Sequence, residues 1–217
     1  MEYTLIRAKR KTIAVQITKE GAIVVRAPRI ASRRRIEAFL REKQDWIETS
    51  VQKVRARMEK YAPVALQPGA SLPYQGRMLT LRLWAQDGFL LQDGALYMPA
   101  TATRDDLIPF LRARASELFA KRIAYYSAIM NVAVTGVRLS CAQARYGSCN
   151  AQDKISLSWR LIFFPPDEVD YIVVHELSHV RHKDHSAAFW EQVAAVLPDY
   201  KERQKRLRED QGLMYIL

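Results

Sequence analysis

At 217 residues the chain is long enough for a sizeable core and one or two domains, and its 49% hydrophobic content is ordinary for a globular protein. The net charge is +11, from 34 Lys and Arg against 23 Asp and Glu. No apolar run reaches the ~20 residues of a membrane-spanning helix, so none is expected, and two cysteines do not make a disulfide framework. The start, Met1-Glu2-Tyr3-Thr4-Leu5-Ile6-Arg7, lacks the apolar centre of a signal peptide, so a cytoplasmic location is expected.

In chain order, Ile13, Val15 and Ile17 alternate with polar residues, Lys19-Glu20-Gly21 reads as a turn, and Ile23 and Val25 alternate again; this predicts a β-hairpin. From Ser32, Ile36, Phe39, Leu40, Trp46, Ile47, Val51 and Val54 recur at a spacing of three to four, predicting one long helix over 32–58. Leu79, Leu81 and Leu83 mark a strand, and Asp87-Gly88 and Asp93-Gly94 suggest turns of a small meander. Thr103 and Asp106 resemble a capping box that opens a long helix to about Met130. Val137, Leu139 and Cys141 begin another strand. Ile155, Leu157, Trp159 and Leu161 alternate with Ser156, Ser158 and Arg160, as in a half-buried strand. Pro165-Pro166-Asp167 then reads as a helix start, proline being tolerated in the first turn and an acid favoured by the dipole. The expected seam lies near residues 99–103. It separates a β-rich region, 1–100, from a domain over 101–217.

Charge is uneven along the chain. Residues 1–61 carry 16 Lys and Arg against 7 Asp and Glu, so nine of the eleven net positive charges lie there. That distribution is either a solvated basic face or a surface that attracts phosphates, including a weak contact with nucleic acid. Aromatic residues do not interleave with these charges, which speaks against specific single-strand binding. Cys141 and Cys149 are eight apart, a poor match to short zinc-ligand spacings, and are read as ordinary packed thiols.

Every histidine falls in one window, in the run His175-Glu176-Leu177-Ser178-His179-Val180-Arg181-His182-Lys183-Asp184-His185. His-Glu-x-x-His is the spacing of a hydrolytic zinc site. Residues four apart on a helix differ by about 40° in azimuth, so His175 and His179 can reach one ion, whereas Glu176 points about 100° away. Glu176 suits a general base, because zinc lowers the pKa of a water from about 15.7 to about 7. Tyr171, Ile172, Val173, Val174, Leu177 and Val180 make the helix apolar nearly all round, hence buried, and a buried glutamate demands a reason. Two histidines compete as third ligand. On a continuous helix His182 sits roughly 10 Å along the axis from His175, too far. His185 requires the helix to stop near 182 and Lys183-Asp184-His185-Ser186 to turn, with Asp184 or Ser186 capping a next helix that carries Phe189, Trp190, Val193, Val196 and Leu197. His185 is the expected ligand, with His182 solvated or in a supporting position.

With these residues in hand, the chain resembles the YgjP-like metallopeptidase family, a branch of the zincin-like hydrolases related to the SprT-like and WLM groups. The resemblance rests on Arg26-Ala27-Pro28, Trp46, Leu72-Pro73-Tyr74-Gln75-Gly76-Arg77, Arg145-Tyr146-Gly147-Ser148-Cys149, Trp159-Arg160-Leu161, the histidine cluster with Phe189-Trp190, and Leu197-Pro198-Asp199-Tyr200. The family usually has tryptophan where Tyr146 stands and asparagine where Asp184 stands. It implies an α+β fold: a zincin-like core with the active-site helix beside a small antiparallel sheet, preceded by a β-rich region with one long helix. It also implies zinc (or another divalent ion) on His175, His179 and His185, with Glu176 catalytic. By analogy with zincins, segment 155–161 is expected to bind extended substrate along a strand edge. A peptide substrate is implied, yet members are also assigned a nucleoside triphosphate pyrophosphatase activity, notably on UTP, and the motif alone does not choose. A third reading is a nucleic-acid-binding module with a structural metal.

Overall fold

The computed structural model describes residues 1–18 and 21–217 and, of Arg57, the backbone alone. The expected turn at Lys19-Glu20-Gly21 falls partly on Lys19 and Glu20, outside the described residues. The chain divides into two compact units, Met1–Ala62 and Pro63–Leu217. Among the described residues no helix is long and apolar enough to cross a membrane.

The first unit holds a three-stranded sheet and two helices. Strands β2 (Ala14–Ile17) and β3 (Ile23–Pro28) form the expected antiparallel pair, with Val15 opposite Val25 and Ile17 opposite Ile23. Strand β1 (Thr4–Ala8), unforeseen, pairs parallel on the other side of β3, Leu5 opposite Val25. The single helix expected over 32–58 is two: α1 (Arg33–Glu42) and α2 (Gln44–Lys60), broken at Lys43, whose backbone leaves helical geometry at φ −100°, ψ 10°. The apolar rhythm runs on across the break, since Ile36, Leu40 and Ile47 all reach the core with Val25, Ala27 and Ala31. Periodicity therefore gave no warning of it. Trp46, counted in the apolar stripe, is exposed.

The second unit begins with a four-stranded sheet in the order β4 (Ser71–Tyr74), β5 (Arg77–Leu83), β7 (Ala95–Met98), β6 (Leu90–Gln92). It is not a meander, because β5 and β7 pair in parallel. This sheet belongs with the residues that follow it, so the division lies well before the seam expected at 99–103. The Gln75 backbone N–H donates to the Ile162 carbonyl at 2.8 Å, and the Gly76 backbone lies against Pro165. Helix α3 (Arg104–Met130) opens on the capping box read from Thr103 and Asp106 and closes on Asn131 in the left-handed region, φ 50°.

Three short strands then form the sheet beside the site, in the order β8 (Gly136–Ser140), β10 (Lys154–Ser158), β9 (Gly147–Cys149). β8 pairs parallel with β10 and β9 antiparallel. Two expectations are corrected here. The strand stops at Ser158 and residues 159–163 form a 3-10 turn; and the whole run from Ile155 to Phe164 is buried, not half-buried. Two of its polar members bond internally: the Ser158 hydroxyl donates to the Ala142 carbonyl and Arg160 to the Cys141 carbonyl. Because β10 lies between β8 and β9, both its edges are paired, and it cannot offer an edge to substrate as expected. Cys141 and Cys149 are free thiols, but Cys141 is exposed rather than packed.

Helix α4 (Pro166–Arg181) starts where Pro165-Pro166 predicted and is buried over nearly its whole length, with α3, α5 (Ala187–Val196), α6 (Tyr200–Glu209) and β9 around it. A charged network ties α4 to α3. Arg122 donates to both Asp170 oxygens at 2.5 and 2.6 Å, and the Tyr126 hydroxyl donates to one of them at 3.1 Å. Such bidentate pairs add orientation as well as energy.

Candidate metal centre

α4 ends at Arg181, and His182 takes an extended backbone at φ −122°, ψ 101°. The chain turns there as the sequence required. The Asp184 carboxylate accepts from the Ser186 N–H at 3.2 Å, and Ser186 sits at the start of α5. Aspartate in place of the family's asparagine thus still closes the turn. Lys183 anchors the same loop from outside, donating to the Asn150 carbonyl at 3.1 Å and pairing with the Asp153 carboxylate.

The turn brings His185 back over the helix. Among the described residues, ligand atoms of His175, His179 and His185 lie within 4.8 Å of one another. His175 Nε2 and His185 Nε2 are 3.2 Å apart. Two nitrogens bound tetrahedrally to zinc at about 2.0–2.1 Å would be about 3.3–3.4 Å apart. The donor set therefore fits a single ion of that size. His179 is oriented from behind, its Nδ1 lying 2.9 Å from the His182 carbonyl, which leaves Nε2 free to face the other two rings. His182 contributes through its backbone. His175 Nδ1 is buried without a hydrogen-bond partner, and packing holds its ring instead. Phe189 lies 4.6–4.9 Å, centroid to centroid, from all three imidazoles, with Trp190 and Tyr171 at 5.9 Å from His175.

Burial, with the neighbouring histidines, lowers the His175 pKa to about 3. Burial also lowers that of His179. A neutral imidazole is the form that coordinates.

Glu176 is 5% exposed. Burial raises its carboxyl to about 7, opposed by the positive charge of Arg145 and by the Cys149 N–H that donates to it. Its surroundings were not read from the sequence. β9 runs so close that a Cβ built on Gly147 would lie 2.7 Å from Glu176 Oε1 and 2.9 Å from its Cγ. Gly147 stands in the quoted stretch Arg145–Cys149, but only the fold shows which side chain requires a glycine there. A cleft of about 340 Å³ opens beside the carboxylate, between the Ala144–Gly147 segment, α4 and α6.

The family model of the YgjP-like metallopeptidase domain matches residues 11–210. The chain belongs to the YgjP-like metallopeptidase family. No curated protein matches. Among solved structures, the metallopeptidase zymogen abylysin of Pyrococcus abyssi is similar with a TM-score of 0.39 and 23% identity, over 41% of this chain and 90% of that one. Family membership makes the chain a metal-dependent hydrolase of α+β architecture.

Proposed function

We propose that the protein is a zinc-dependent peptidase in which His175, His179 and His185 hold the ion and Glu176 is the general base, with the chemistry confined to residues 101–217. The observation that carries this reading is the convergence of three imidazoles beside one buried carboxylate. A divalent ion there supplies Lewis acidity, polarising a carbonyl and lowering the pKa of a water. Glu176 takes the proton of the attacking water and returns it to the leaving amine. Its raised pKa suits a group that must both accept and release a proton near neutrality; a bound cation would draw that pKa down and keep it a base. The Cys149 N–H donates to the carboxylate, the lack of a Cβ at Gly147 leaves room for it, and Phe189 packs against all three histidine rings.

Phosphoanhydride hydrolysis of a nucleoside triphosphate such as UTP is the second reading, favoured by one observation: Arg145 and Arg208 line the cleft beside Glu176. A nucleic-acid module with a structural metal is disfavoured. Such a site closes with four protein ligands, whereas three histidines converge here next to an acid. The basic excess of residues 1–61 supports weak contact with anions and no more.

The deciding experiment offers the zinc-loaded protein a peptide library and nucleoside triphosphates, with Glu176→Gln alongside. Peptide cleavage that falls about 100-fold or more in the variant is expected. Triphosphate turnover lost in the variant, without peptide cleavage, would overturn the peptidase reading.

A further inference from the structure

Resting on the peptidase reading, we infer that the cleft beside Glu176 is a specificity pocket for an acidic side chain of the substrate, its carboxylate held between Arg145 and Arg208. The cleft has three walls: the segment before β9, the face of α4 with Tyr171, His175 and Glu176, and the face of α6 with Gln204 and Arg208. Two hydrogen bonds staple these walls together. The Tyr146 hydroxyl donates to the Leu207 carbonyl at 3.0 Å, and the Gln204 amide donates to the Tyr171 hydroxyl at 3.0 Å. Arg145 and Arg208 are the immediate neighbours of the residues joined by the first staple, so their backbones are fixed on opposite sides of one opening.

The charges in this opening are unbalanced. Glu176 is the one acid that lines it, and that carboxylate is already engaged by the Cys149 N–H. Other arginines of α6 are occupied elsewhere. Arg203 contacts both Asp199 oxygens at 2.9 Å, and Arg206 pairs with Asp167. Arg145 and Arg208 form no salt bridge among the described residues. Guanidinium forks match a carboxylate in geometry, and two of them flanking a concave site exceed what one exposed ion pair provides. A basic substrate side chain would be repelled from the same place.

The test uses matched peptides, drawn from a cleaved sequence, that carry Glu or Gln at each position flanking the scissile bond. The full-length protein and an Arg145→Gln/Arg208→Gln double variant are compared. At one position wild type should prefer Glu by about tenfold in kcat/KM, and the double variant should lose that preference, read as the Glu-to-Gln ratio within each protein so that any common change in rate cancels. Equal cleavage of both peptides by active wild type, or a preference retained in the double variant, would overturn the inference and leave the peptidase reading standing. Fluorescence anisotropy with labelled Glu and Gln peptides on Glu176→Gln protein reads the same selectivity without turnover, and absence of a Glu preference there is equally contrary. Binding of UTP lost in the double variant, with no selectivity for the acidic peptide, would assign the arginines to phosphate and sink the carboxylate assignment.

Discussion

Gly147 leaves no room for a side chain beside Glu176, and the two residues sit far apart in sequence. The glycine has no unusual backbone angle, so what it supplies is space: any Cβ would press on the Glu176 carboxylate and on Leu157 Cδ2, 2.9 Å away. Gly147→Ala is expected to keep its bound zinc and lose about 10- to 100-fold in kcat/KM, because a displacement of about 1 Å at a reacting group costs on that order. Steady-state kinetics beside metal analysis will show this; full activity in the variant would mean that the carboxylate position is not critical. That His175 and His179 face one point was legible from spacing alone, because helix geometry fixes where i and i+4 point. His185 was legible from turn chemistry at Lys183-Asp184. The approach of Gly147, the Cys149 N–H and Arg208 to the site was not, since each meets it from another element and no local pattern encodes such a meeting.

Elements with a local signature formed where expected. The capping box at the start of α3 is one: the Thr103 backbone N–H and hydroxyl both donate to Asp106 Oδ2, at 2.9 and 2.6 Å. These bonds hold the Asp106 carboxyl below its ordinary pKa. A carboxyl depressed in the folded state stabilises the fold above its unfolded pKa of about 3.9, and that contribution disappears as pH falls through the folded value. Urea unfolding should therefore find Asp106→Asn less stable than wild type at pH 7, with a smaller gap at a pH below about 3.9. The same gap at both pH values would show that the ionised carboxylate is not what matters. Thr103→Ala should cost about 1 kcal/mol. Elements set by pairing between distant segments were less legible. β1 joins β3 in parallel, and β7 joins β5 in parallel across the 3-residue strand β6; neither choice follows from alternation. The alternation of 155–161 suggested a half-exposed strand, but Ser156 and Ser158 are buried like their apolar neighbours. A buried serine that bonds a carbonyl leaves the same pattern as an exposed one.

For the whole molecule, the sequence marked two regions but drew the line too late, because a strand-rich stretch was counted with the strands before it rather than the helices after it. The second unit contains the three histidines, Glu176 and the cleft, and its core gathers round α4. Under the proposed reading ion binding and folding are linked there, since the histidines of α4 and of the turn before α5 converge only in the folded chain. An ion at 100 times its dissociation constant stabilises the folded state by about 2.7 kcal/mol, so chelation should lower Tm and added zinc restore it. The most direct measurement is metal content per chain, by elemental analysis, of wild type, His185→Ala and His182→Ala purified without chelator. One zinc per chain is predicted in wild type and in His182→Ala, whose supporting group is a backbone carbonyl, and a large loss in His185→Ala. Wild type without bound metal, or equal loss in both variants, would contradict the three-histidine centre.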